Sequence, residues 1–81
     1  MIVRVKLFAV ARELAGADEM SLEVAEGATV ADVERALRKE SPGLKTILKH
    51  ARWAVDAEFV ALDCLVNETS EVALIPPVSG G

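Results

Sequence analysis

An α+β roll, with a mixed sheet packed on one main helix, is the fold this chain predicts. Three observations point to it: apolar residues alternate with polar ones near both ends, one amphipathic helical stretch lies between them, and 81 residues suffice for a single small domain. The elements follow in the order strand, strand, helix, strand, strand, strand.

Val3, Val5 and Leu7 fall on one side of an extended segment, with Ile2, Arg4, Lys6 and Phe8 on the other, which is the pattern of a half-buried strand. Ala11, Arg12, Glu13 and Leu14 then favour one or two helical turns, stopped by Gly16, which adopts the left-handed conformation readily. Met20, Leu22 and Val24 alternate with Ser21, Glu23 and Ala25, giving a second strand that runs to the turn residue Gly27.

The main helix begins at Thr29, whose hydroxyl suits an N-cap, with Asp32 three residues on in a variant of the capping box and well placed against the helix dipole. Val30, Val33 and Leu37 recur at helical spacing with Ala36 beside them, while Glu34, Arg35, Arg38 and Lys39 take the other side. Ser41-Pro42-Gly43 ends the helix, because proline lacks an amide and disfavours helical geometry in the residue before it. Leu44, Ile47 and Leu48 suggest one further short turn. From Arg52 the period returns to two, with Trp53 and Val55 inward and Trp53 filling the core under the helix. Asp56-Ala57-Glu58 reads as a turn and Phe59 to Leu62 as a short strand. The last strand, Glu71 to Ile75, stops at Pro76-Pro77, which cannot donate to a sheet ladder.

The sheet face away from the helix bears on function. Phe8 shares the outer parity with Arg4 and Lys6, Ile75 shares it with Glu71, and Phe59 sits opposite Val60. If Phe8, Phe59 and Ile75 adjoin in space, with Ala54 and Ala73 between them, they form a candidate protein-binding patch; if not, they are the scattered exposed hydrophobes every soluble protein carries. The residue pattern leaves both open.

Composition narrows the function classes. Nine Lys and Arg against thirteen Asp and Glu give a net charge of -4, the wrong sign for a protein that neutralises a nucleic-acid backbone. The excess is uneven: residues 50–81 set Arg52 against Asp56, Glu58, Asp63, Glu68 and Glu71, which predicts a basic partner for this third and an encounter weakened by salt. The lone Cys64 excludes an internal disulfide and a multi-cysteine zinc site. With Leu62 and Leu65 around it and no adjoining base, it reads as a small half-buried hydrophobe and not a sulfur relay. His50 has no second histidine at ligand spacing, so no metal site is expected. Asn67-Glu68-Thr69 matches a glycosylation sequon, which has meaning only in a secreted chain. The apolar start is interrupted by Arg4 and Lys6, and no run approaches the roughly 20 residues of a membrane-spanning helix, so the expectation is a cytoplasmic protein without a membrane partner.

The end of the chain carries the chemistry. A domain over residues 1–75 is expected to give way to a flexible, extended tail over residues 76–81, Pro76-Pro77-Val78-Ser79-Gly80-Gly81. Six residues reach roughly 20 Å at about 3.3 to 3.6 Å each. Without β-carbons, Gly80 and Gly81 let the backbone thread a channel too narrow for a side chain and bring a terminal carboxylate to a reaction centre.

This ending and the order of elements resemble the small, sulfur-carrying subunits of molybdopterin synthase, a ubiquitin-like β-grasp family. The likeness spans the whole chain and is most specific over Glu71 to Gly81, supported by Leu7-Phe8-Ala9, Arg12-Glu13-Leu14 and the Ala54-Val55-Asp56 turn. The chain departs from the family pattern at Asp56, where asparagine is common, and at Asn67-Glu68-Thr69-Ser70, which replaces a turn richer in glycine and aspartate.

The resemblance implies a carrier cycle centred on Gly81. Its carboxylate would be adenylated by a ubiquitin-activating-like adenylyltransferase that uses ATP, converted to a thiocarboxylate by a sulfurtransferase system, and inserted into the large subunit of molybdopterin synthase, where the sulfur enters the dithiolene. Phe8, Arg12, Phe59, Ile75, Pro76 and Pro77 would be partner-binding positions. No cofactor would be bound to the chain, and the acid-base groups and phosphate clamps would belong to the partners. Other readings share the fold: a sulfur carrier for thiamin, cysteine or tRNA thiolation, a ubiquitin-like modifier joined through Gly81 to a lysine, or a binding module with an inert tail.

Overall fold

The computed structural model describes residues 1–77. Strand β1 (Ile2–Leu7) leads into helix α1 (Ala9–Ala15), and β2 (Glu19–Glu23) follows. Helix α2 (Val30–Glu40), a 3₁₀ turn (Pro42–Leu44) and the short helix α3 (Lys45–Leu48) precede β3 (Arg52–Val55), β4 (Glu58–Val60) and β5 (Val72–Ile75). The strands form one mixed sheet in the order β2-β1-β5-β3-β4. β5, last in sequence, lies at the centre, parallel to β1 and antiparallel to β3.

The period-two and period-3.6 patterns converge on one core. Val3, Val5 and Leu7 of β1, Leu22 of β2 and Val72 and Leu74 of β5 are buried against Val30, Val33 and Leu37 of α2, with Leu44, Leu48 and Trp53 closing the far end. The Trp53 indole N–H donates to Glu34 Oε1 at 3.2 Å, so its polar atom is satisfied by the helix it underlies. Gly16 ends α1 at φ 72°, in the left-handed region expected of it.

The start of α2 is satisfied from two directions. The Thr29 backbone N–H and hydroxyl both donate to Asp32 Oδ2, at 2.9 and 3.2 Å. Those bonds, the backbone one first, hold the Asp32 carboxyl below its ordinary value of 3.8, and the Arg35 guanidinium at 3.0 Å acts in the same direction. The next amides, of Val30 and Ala31, donate to the carbonyls of Cys64 and Leu62, each at 2.9 Å. Half-buried Cys64 thus serves the fold through its backbone, while its thiol contacts the Leu65 carbonyl at 3.5 Å.

Several local boundaries differ from the sequence reading. β1 stops at Leu7, and Phe8 is the cap residue of α1, where the chain turns through Ala9 at φ 52°. Glu58 belongs to β4, because a two-residue turn with positive φ at Asp56 (51°) and Ala57 (68°) matches the twist of the hairpin. The strand begun there ends at Val60 and not at Leu62. Val55 is half-buried, whereas Ala54, assigned to the outer face, is buried because its small side chain lies between Ala73 and Phe59 on the neighbouring strands. The sequon residues form a turn in which Asn67 Oδ1 accepts from the Thr69 N–H and hydroxyl, at 2.9 and 2.6 Å.

Candidate functional site

The register of the sheet sets its outer face. Lys6 pairs with Ala73, Ala73 with Ala54, and Ala54 with Phe59, so one row crosses β1, β5, β3 and β4. On the next row Ile75 stands opposite Arg52. Phe8, one residue past β1, closes that end. Phe8, Phe59 and Ile75 therefore adjoin, and with Lys6, Ala54 and Ala73 they line an open trough of about 260 Å³. Phe8 and Phe59 are 48% and 57% exposed, which leaves two aromatic rings facing solvent on one concavity. Large apolar groups clustered in this way, rimmed by charge, are the signature of a protein-docking surface.

The geometry of the trough follows from residue size. Two alanines form its floor because nothing larger stands on the central strands at that level, and the rings rise on either side. Glu71 lies at one end; Lys6 lines the β1 side. Arg12, on the exposed face of α1, adjoins Phe8 and Lys6 across a neighbouring concavity that also holds Asp18 and Glu19. Pro76 is buried and Pro77 exposed where the chain leaves β5. Gly80 and Gly81 lie outside the described residues.

One contact escaped the sequence reading. The Arg52 guanidinium carbon stands 4.1 Å from the centroid of the Phe59 ring, stacked on the wall of the trough. Parity would have placed Arg52 on this face, two residues before Ala54, and a diagonal cross-strand neighbour is within reach of a long side chain; the hairpin register needed for that step was not legible. Among the described residues no three His, Cys, Asp or Glu side chains stand where they could hold a metal ion, and no helix is long and apolar enough to cross a membrane. What the arrangement offers chemically is association: an apolar trough with Lys6 and Glu71 at its edges, Arg52 over the Phe59 ring, and a chain end leaving beside them.

Comparison with known proteins matches the ThiS family model to residues 5–81. A molybdopterin synthase sulfur carrier subunit of Chlamydomonas reinhardtii is 34% identical over 83 aligned residues, covering 100% of both chains. One of Arabidopsis thaliana is 33% identical, covering 98% of this chain and 82% of the relative. Among solved structures, SAMP1 of Haloferax volcanii, a small archaeal modifier protein, superposes with a TM-score of 0.91 at 32% identity, covering 100% of both chains. The five-stranded mixed sheet packed on a helix is the ubiquitin-like β-grasp of these neighbours.

Proposed function

This chain belongs to the ThiS family, and on that premise we propose that it is the sulfur-carrying subunit of a molybdopterin synthase, with Gly81 as the residue that carries sulfur. The observation that carries the reading is the trough: Phe8, Phe59 and Ile75 come from three separate elements and close on one apolar concavity beside the end of β5. A large synthase subunit seated there meets the carrier where Pro76-Pro77 begins. The names of the two relatives support the same reading.

The chemistry follows from the carboxyl group. An α-carboxyl with pKa near 3.3 to 3.7 is ionised at neutral pH and is a poor electrophile. Attack of a carboxylate oxygen on the α-phosphorus of ATP expels pyrophosphate and gives an acyl-adenylate; hydrosulfide then attacks the acyl carbon, AMP leaves, and loss of a proton gives the thiocarboxylate. The adenylyltransferase and the sulfurtransferase supply the acid-base groups for these steps. The carrier contributes a docking face and, in Gly80 and Gly81, backbone slim enough for a narrow channel. A second reading, attachment of Gly81 to a lysine of a target protein, is favoured by the likeness to SAMP1.

The intact mass of the protein purified from its native host, with fragmentation to localise any change, separates these readings. One oxygen replaced by sulfur at Gly81 is the expected result. Gly81 joined to a lysine would favour the modifier. A carboxylate that persists after incubation with ATP, the adenylyltransferase and the sulfurtransferase would overturn the carrier reading.

A further inference from the structure

We propose that Arg52 is a specificity-determining residue of the docking face, holding its guanidinium ready for a carboxylate on the partner. The inference rests on the docking reading above and names the chemistry the partner must present. Arg52 is exposed, lies opposite Ile75 and stacks on Phe59 at 4.1 Å. With its guanidinium carbon over the ring and no ion pair to Arg52 among the described residues, the guanidinium keeps N–H donors for a carboxylate, which an arginine takes with two parallel hydrogen bonds.

The charges nearby leave that capacity unspent. Arg52 is the one arginine or lysine of residues 50–81. Among the described residues the ion pairs are Arg4 with Glu19 and Arg35 with Asp32, and Arg52 is in neither. Glu34, the carboxylate that lines the adjoining concavity with Arg52, is engaged by the Trp53 indole. Lys6 differs, since Glu19 and Glu71 line the concavities it shares. Counting charge along the chain predicts a basic partner for this third, yet the guanidinium over Phe59, on the wall of the trough, is in no ion pair among the described residues. The surface that covers Phe59 and Ile75 should therefore bring a carboxylate to Arg52.

The test is binding of the large synthase subunit from the same organism, by titration calorimetry at low and moderate salt, to the unaltered chain and to Arg52→Gln, Arg52→Lys, Phe59→Leu and the Arg52→Gln/Phe59→Leu pair. Arg52→Gln should weaken binding about tenfold and flatten its salt dependence, with an unchanged melting temperature. Arg52→Lys should recover the salt dependence but only part of the affinity, about threefold short of the unaltered chain. The loss on Arg52→Gln should shrink once Phe59→Leu has removed the stacking surface. Equal affinity and salt slope for Arg52→Gln and the unaltered chain would overturn the role of Arg52 and leave the docking face standing. Absence of binding by the unaltered, folded chain would overturn the reading of the face, and the role of Arg52 with it.

Discussion

Asp56 and Glu71 are joined by two hydrogen bonds: the Asp56 N–H donates to the Glu71 carbonyl at 2.9 Å, and Asp56 Oδ1 accepts from the Glu71 N–H at 3.0 Å. The pair ties the β3–β4 turn to the residue just before β5, and so to the strand that ends at Ile75. Asparagine offers the same acceptor and tolerates positive φ, so Asp56→Asn should leave stability within about 0.5 kcal/mol. Asp56→Ala loses the bond and places an alanine at φ 51°, for a combined cost of about 1–2 kcal/mol in chemical denaturation. Equal stability of the two variants would show that the side-chain bond contributes nothing.

The start of α2 supplies a pH-dependent test. Because the carboxyl of Asp32 is held below 3.8 in the fold, its contribution is present above 3.8 and is lost as pH falls through the lower folded value. Asp32→Ala should therefore melt at a lower temperature than the unaltered chain near neutral pH. The gap should narrow on acidification below 3.8. Thermal melts across that range check it, and a constant gap would exclude the charge on Asp32 as its source.

What could be read in advance was local. The parity of Val3, Val5 and Leu7, the cap at Thr29 and Asp32, and the stop at Gly16 each depend on neighbours within a few residues, where sequence spacing maps directly onto geometry. The outer-face assignments of Phe8, Phe59 and Ile75 came from the same parity, and the adjacency that makes them one trough came only with the register of β5 between β1 and β3. Contacts across long sequence separations were not legible: the carbonyls of Leu62 and Cys64 that satisfy α2, the bond from Trp53 to Glu34, and the burial of Ala54 all depend on which strands become neighbours. The Phe8 boundary was missed because alternation continues one residue past the point where Ala9 turns the chain into α1.

The trough predicts a separation between folding and association. Phe59 is 57% exposed, so Phe59→Asp removes little buried area and should cost no more than about 1 kcal/mol of stability. Ile75→Asp, at a half-buried position, should cost somewhat more. Both should weaken binding of the large subunit at least about tenfold, since a carboxylate is left against an apolar partner surface. Cross-titration checks this, and unchanged affinity for both variants would remove the trough from the interface.

The tail predicts the converse, loss of chemistry without loss of fold. The buried core is built from residues of β1, β2, β3, β5 and the helices, with Ala28 and Val66, all before Pro76. Deleting Gly81, or replacing Gly80 by tryptophan, should therefore leave the melting temperature within about 1–2 °C, a shift corresponding to a few tenths of a kcal/mol. Binding of the large subunit through the trough should persist. Sulfur transfer should not: the deletion leaves the terminal thiocarboxylate one residue short of the reaction centre in the large subunit, and the indole prevents backbone threading where a glycine would pass. The assay is single-turnover sulfur transfer from chemically prepared thiocarboxylate, with the melt and the binding titration as controls. Full transfer by Gly80→Trp would show that the path to the reaction centre admits a side chain, and a large drop in melting temperature would make the tail part of the folded domain.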